Sequence, residues 1–295
     1  KNYTIVHKFF INNSSSLFNK NKLFNFASRC NSLLDKKLKN FSNIIYLNMF
    51  VESQGIEKVF DNRLWSIGRI PFSNQMSKKL SNRWCSITIS IIGKKTKIIV
   101  LDLDNTIWGG VLGEDGYENI KIGGDHPGNS FKDFQILLKD YTKKGVLLAT
   151  CSKNDSDLVF NVFNNHNEMI LKKNDFVTHQ INWRPKNENI KEISSDLGLG
   201  LDSFLFIDDN PFERENIRRK LPDVKILDLP DDPADYTDAL RNCIWLETFN
   251  VSQVDKNRLN SYRVKNLIDK NLNKKNNIED YLSQLNIEIF FQKLR

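Results

Sequence analysis

Lys97 to Gly110, KIIVLDLDNTIWGG, is the stretch on which the fold turns. Ile98 to Leu101 are four consecutive β-favouring apolar residues, a run that predicts a strand buried on both faces. The chain then becomes polar at Asp102, Asp104, Asn105 and Thr106, so two carboxylates leave one strand end at positions i and i+2. Neighbouring carboxylates repel when both are ionised, and the pair is costly unless a cation bridges it or one carboxyl keeps its proton. Either remedy is chemistry. The plain alternative is an Asp-Asn turn that closes a strand.

Outward from that stretch, apolar and turn signals alternate. Helix Phe131 to Lys143, after a Ser130 cap, gives way at Gly145 to a strand Val146 to Thr150. Asp155 to Phe163 is helical, and Asp175 to Trp183 reads as an irregular or short-strand passage. Lys186 to Leu197 forms a helix stopped by Gly198. Strand Phe204 to Ile207 leads into Asp208, and Asn210 caps a helix opened by Pro211 that runs to about Leu221. Val224 to Leu227 is a further strand. Strand-helix alternation of this kind predicts an α/β fold, a doubly wound parallel sheet with helices on both faces. In such sheets ligands collect beyond the carboxyl ends of the strands, where the polar stretches fall.

Three regions follow: an N-terminal α/β lead-in over residues 1–92, a core over 93–250 and a C-terminal helical extension over 251–295. In the lead-in, helical spacing covers Leu17 to Leu38, a short strand covers Asn43 to Met49, and a helix runs from Ser73 to about Ile91; Cys30 and Cys85 read as core residues. The glycine-rich insert GGVLGEDGYENIKIGGDHPGN, residues 109–129, is too short for a helical cap domain. A minimal cap leaves the mouth open, and His126 in that insert reads as a surface residue. The tail beyond Phe249 is Lys- and Asn-rich, with helices over Ser252 to Leu267 and Ile278 to Leu285 and a strand from Ile287 to Gln292.

The 295 residues, 40% hydrophobic, suffice for a sizeable core. A formal charge of +7 suits an anionic partner, but the lysines are interleaved with Asp and Glu, as on a solvated surface. Zinc-ligand spacing, a helix-turn-helix signal and a compact basic run with aromatics are all missing, so nucleic acid is not an expected partner. The longest apolar run is too short for a bilayer and no signal peptide opens the chain, so no membrane partner is expected either. Four widely spaced cysteines without C-x-x-C spacing point to a reducing, cytoplasmic setting. Lys1 in place of Met suggests a piece of a longer chain.

Asp102-x-Asp104-x-Thr106 after a buried strand, Ser152 after a second, Lys186 before a helix and Asp208-Asp209 after a third resemble the haloacid dehalogenase (HAD) superfamily of phosphotransferases, with its Rossmann-like core. The resemblance implies that Asp102 is the nucleophile and Asp104 the general acid/base. It makes Ser152 and Lys186 phosphate ligands, and completes a Mg²⁺ site with Asp208 and Asp209. The residues suit those roles: a carboxylate attacking phosphorus needs charge neutralised by a hard, oxygen-ligated cation, for which Asp102, the Asp104 backbone carbonyl and Asp208 offer oxygens. Thr106 orders the loop. Thr106, Lys153 and the backbone N–H groups at the Asp155 helix start are further phosphate donors; Asn154 is either a phosphate ligand or a cap, and Asn105 reads as a cap or turn residue. Trp108 and Trp183 read as core or rim packing.

Cys151 stands directly before Ser152. A cysteine at a buried strand end is commonly an inert small hydrophobe, but Lys153, Lys186 and a metal nearby would lower its pKa and favour a thiolate. The passages FDNRLWSIGRIPFS, VLDLDNTIWGGVLGEDG, LLATCSKND, INWRPKNENI and LFIDDNPFERE resemble the FkbH-like glyceryl transferase/phosphatases of polyketide assembly lines, from about Phe60 to Arg263. That resemblance implies transfer of a glyceryl group from 1,3-bisphosphoglycerate to Cys151, removal of phosphate, and delivery to the phosphopantetheine thiol of an acyl carrier protein within a larger multidomain synthase. The alternatives are a plain Mg²⁺-dependent phosphatase and a catalytically silent docking domain.

Overall fold

Ile98–Leu101 forms the central strand, and all four side chains are buried. The computed structural model describes residues 4–6, 17–40, 44–46, 56–70, 72–247 and 262. The chain divides into two units, residues 1–93 and 94–295.

In the first unit, strands β1 (Thr4–Val6) and β2 (Ile44–Tyr46) pair in parallel. Helix α1 spans Leu17–Leu38, and a short helix α2 spans Ile56–Val59. Helix α3 (Asn62–Gly68) begins where the Asp61 carboxylate accepts from the Arg63 and Leu64 amides. Helix α4 (Asn74–Ile91) begins where the Ser73 hydroxyl accepts from the Met76 amide. Val59 and Met76 form a small buried cluster with Phe60, Phe72 and Leu80 against it. Cys85 is exposed and Cys30 half-buried, contrary to the core placement expected for both. Nine residues along a helix is half a turn out of phase, so Cys85 lies on the side of α4 opposite Met76.

The second unit carries a five-stranded, all-parallel sheet: β3 (Ile98–Leu101), β4 (Leu147–Ser152), β5 (Phe176–Ile181), β6 (Phe204–Asp208) and β7 (Lys225–Asp228), in the order β5-β4-β3-β6-β7. Ile98 pairs with Leu147 on one side and Phe204 on the other. The chain runs outward from β3 through β4 to β5, then returns past β3 to β6, so the winding reverses at the carboxyl end of β3. Crevices open at such reversals.

Alternation along the strands assigns the two layers. Ile99 and Leu101 pack with Phe131, Phe134 and Leu138 of α6 (Gly128–Lys143) and with Val159, Val162 and Phe163 of α7 (Ser156–Asn165). Ile98 and Val100 pack with Ile190, Ile193 and Leu197 of α8 (Lys186–Leu197) and Ile217 of α9 (Pro211–Lys220). A short helix α5 (Leu112–Asp115) lies in the insert, and α10 (Tyr236–Arg241), which no sequence pattern announced, joins the first layer through Tyr236 and Leu240.

Helix α6 starts at Gly128 rather than Phe131; its flanking residue is Pro127, and Ser130 lies inside the helix. Phe176–Ile181 is a full strand, not an irregular passage. Its outer residues are only half buried, as befits a sheet edge, and this blurs the apolar pattern that a central strand shows. Trp183 is 76% exposed instead of packed, because it lies past the end of β5 where neither helical layer covers it. The expected helices and strand beyond Phe249 lie outside the described residues. No helix among the described residues is long and apolar enough to cross a membrane.

Candidate active site

After Leu101 the chain must leave the sheet sharply. The Asp102 amide still donates to the Ile207 carbonyl at 2.9 Å, and the Thr106 and Ile107 amides then turn back onto the Leu103 carbonyl. Asn105 takes the left-handed backbone (φ 49°), a conformation asparagine tolerates better than most side chains. Its side-chain oxygen accepts from the Gly110 amide at 2.8 Å, closing the loop, and the Tyr236 hydroxyl donates to its carbonyl at 3.1 Å.

At the end of β3, carboxylate oxygens of Asp102, Asp208 and Asp209 lie within 4.8 Å of one another. The Lys186 ammonium, at the first position of α8, stands 3.0 Å from Asp102 Oδ2 and 2.6 Å from Asp208 Oδ2. Two of the three carboxylates thus share one ammonium. Burial first, and the Asp102 charge second, push Asp208 up to about 7. Burial likewise raises Asp209. For Lys186 burial acts downward, but the charges of Asp102 and Asp208 outweigh it and leave its pKa raised. The surplus of negative charge invites a cation. Asp102 Oδ1 is buried without a hydrogen-bond partner, which is the condition of an oxygen awaiting one. Thr106 ties the cluster to its loop: it accepts from the Asp209 amide at 3.2 Å and donates to Asp209 Oδ1 at 3.4 Å.

The Asp104 carboxylate is not part of the cluster. Its Oδ1 accepts from the Trp108 indole at 2.8 Å and the Leu112 amide at 3.1 Å, and its Oδ2 accepts from the Asn154 amide group at 2.9 Å. Burial nevertheless raises its pKa. Of Asp104, only the backbone carbonyl is left to serve a metal, its carboxylate being held by three donors. Trp108 is fully buried in the core, as expected, and its N–H also holds the Asp104 carboxylate.

Ser152 closes β4 and is buried, its carbonyl accepting from the Asn182 amide at 3.1 Å. Lys153 pairs with Glu213 at 2.6 Å. The start of α7 is closed to an anion, contrary to expectation: Asp155 caps it, and its carboxylate accepts from the Asp157 and Leu158 amides. Asn210 caps α9 as expected. His126 is an exposed residue, 3.8 Å from Asp232.

Cys151 departs furthest from expectation. It belongs with Leu147 and Ala149 to the layer under α8, is fully buried, and sits 3.7 Å from the Lys186 carbonyl. Burial pushes the thiol up to about 12; Lys186 acts downward, but less strongly. A lowered pKa was expected from the same lysine, and desolvation wins. In the native protein a thiol reagent at neutral pH is expected to modify Cys85 long before Cys151, which should react only on unfolding; rapid labelling of Cys151 would contradict its burial. Between the ordinary thiol value of 9.0 and about 12 the folded chain keeps a proton that the unfolded chain loses. Stability present below pH 9 therefore falls as pH rises, by up to about 4 kcal/mol at about 1.4 kcal/mol per pH unit. A Cys151→Ser variant should flatten that decline.

Two site residues escaped the sequence. Tyr236 lies 131 positions from the loop it braces, and nothing local marks it. Arg214 donates to the carbonyls of Asp208 and Asp209; a cation in the opening turns of a helix runs against the helix dipole, and that was a readable signal.

Fold and site together define an α/β protein with a cluster of aspartates at the end of its central strand. A crystal structure of the N-terminal part of the protein BF1531 from Bacteroides fragilis, containing a phosphatase domain complexed with Mg, is 34% identical to this chain. It superposes with a TM-score of 0.71, over 83% of this chain and 68% of that one. The chain belongs to the same family as that phosphatase domain. Looser overlays include 3-deoxy-D-manno-octulosonate 8-phosphate phosphatase from Moraxella catarrhalis (16% identity, TM-score 0.34, 67% of this chain and 98% of that one). A HAD-superfamily hydrolase from Legionella pneumophila is similarly distant (17% identity, TM-score 0.31, 63% and 91%). No protein-family model matches the chain, and no curated protein matches it.

Proposed function

We propose that the chain is a Mg²⁺-dependent phosphatase that takes a phosphoryl group onto Asp102 and passes it to water. The observation that carries this is the cluster of Asp102, Asp208 and Asp209 at the reversal of the sheet, with Asp102 Oδ1 buried and unpartnered. Carboxylates and a backbone carbonyl are the donor set for a hard divalent cation, so Asp102, Asp208 and Asp209 with the Asp104 carbonyl would hold Mg²⁺. When bound, the ion neutralises charge on the phosphate and the attacking carboxylate.

Asp102 attacks phosphorus, and the bond to the leaving oxygen breaks with its electron pair. Asp104, whose pKa burial raises, supplies the proton that oxygen needs. In the second step Asp104 takes a proton from water as the water displaces Asp102. Lys186 stays charged throughout and orients Asp102 through Oδ2. Dividing hydrolysis into two displacements is the gain of covalent catalysis. The test is phosphate release from p-nitrophenyl phosphate and small phosphoesters with Mg²⁺ and with a chelator. Release that the chelator abolishes is expected. Release indifferent to Mg²⁺ would overturn the proposal, and none from any ester would favour a silent docking domain.

A finer reading rests on the sequence resemblance to glyceryl transferase/phosphatases and on the place of Cys151 beside Ser152. In it, a Cys151 thiolate attacks the carbonyl carbon of 1,3-bisphosphoglycerate, the carbon-oxygen bond breaks and the carbon-one phosphate departs, while the ester phosphate at carbon three is transferred to Asp102 and then to water, so that the thioester carries a glyceryl group. The thioester then passes to the phosphopantetheine thiol of an acyl carrier protein. The burial of Cys151 requires that α8 yield before this can happen. Intact mass spectrometry after mixing with 1,3-bisphosphoglycerate decides it: a glyceryl adduct lost in Cys151→Ser supports transfer, and phosphate release without an adduct leaves the phosphatase.

A further inference from the structure

Successive side chains on a strand point to opposite faces, yet the carboxylates of Asp208, the last residue of β6, and Asp209, the next, both approach Asp102. The backbone must break from strand geometry between them, and something must hold the break. Nη1 of Arg214 lies 2.7 Å from the Asp208 carbonyl and 2.7 Å from the Asp209 carbonyl, one hydrogen for each. Its Nε lies 3.3 Å from Asp228 Oδ1, an ion pair without a hydrogen bond, at the end of the neighbouring strand β7. Arg218 reaches the same carboxylate from the next turn of α9, at 2.9 Å and 3.2 Å. Most of the Arg214 side chain is buried.

We infer that Arg214 is a positioning residue for the cation site: by clamping two consecutive carbonyls it turns the Asp208 and Asp209 carboxylates onto one point, with Asp228 as its ion-pair partner. Arg214 need touch neither ion nor substrate. Its planar fork, which can offer one nitrogen to two carbonyls, suits the task better than a mobile ammonium. This rests on the Mg²⁺ reading of the cluster.

Partners that orient metal ligands are worth about 10- to 100-fold in metal affinity. Calorimetric titration of the purified chain with Mg²⁺, without substrate, is therefore expected to show affinity falling by that factor in Arg214→Met and by less in Arg214→Lys and Asp228→Asn. Ile193→Val, a core change distant in chemistry, serves as the stability control and should leave Mg²⁺ affinity unchanged. If Arg214→Met fails to fold, the Lys and Asn variants carry the test. Variants that lose thermal stability while binding Mg²⁺ like the wild type would overturn the inference and leave Arg214 a brace of the fold. A wild type that takes up no Mg²⁺ overturns the metal reading itself.

Discussion

Asp102→Asn is expected to lower Mg²⁺-dependent phosphate release by on the order of 10³-fold or more, the scale at which a covalent nucleophile is missed. The same change should leave the fold intact or slightly firmer. Asp102 shares the ammonium of Lys186 with Asp208, so three carboxylates contend for one cation, and the neutral amide relieves the excess. Asparagine keeps the volume at the end of β3, and its backbone bond to Ile207 is unaffected. Thermal unfolding beside steady-state kinetics separates the two effects. Lost activity with retained stability marks Asp102 as chemical, whereas loss of both would make it structural.

Lys186→Met should produce the opposite pairing, a large loss of stability along with activity. Lys186 is 3% exposed and bridges two carboxylates of similar burial. Removing one member of a buried ion pair costs about 3–5 kcal/mol, because the remaining charges have neither water nor a partner. Denaturant unfolding without added metal measures that cost. Asp208, already pushed up to about 7 by burial and by Asp102, would then be held up more strongly, and the deficit should shrink when Mg²⁺ is added. A variant as stable as the wild type would mean that the cluster is far more hydrated than its burial implies.

Where neighbouring residues agree on one structure, the chain was legible. Ile98–Leu101 has no polar interruption, Gly198 stops α8 in the left-handed conformation, and Asn210 with Pro211 opens α9; each lies where its signal put it. Asp102, Lys186, Asp208 and Asp209 were legible together, because each stands at the carboxyl end of a strand or the first position of a helix, and parallel winding brings those ends to one crevice. Orientation was harder. Cys151 and Ser152 are consecutive strand residues and cannot both point the same way, so the expected company of Cys151 with a phosphate ligand was a matter of chain position and not of direction. The donors expected at the start of α7 vanished for a similar reason, since the aspartate that begins the helix also satisfies it. Tyr236 acts on a backbone carbonyl far along the chain, which carries no residue-specific signal, and Arg214 was marked only by its place against the dipole of its own helix.

Acid-quenching the enzyme during turnover of a phosphoester with Mg²⁺, followed by peptide mapping, addresses the role of Asp102 most directly. Phosphate on the peptide bearing Asp102, absent from Asp102→Asn, is the expected result. Sustained phosphate release with no phosphorylated peptide, or with phosphate on another residue, would contradict it.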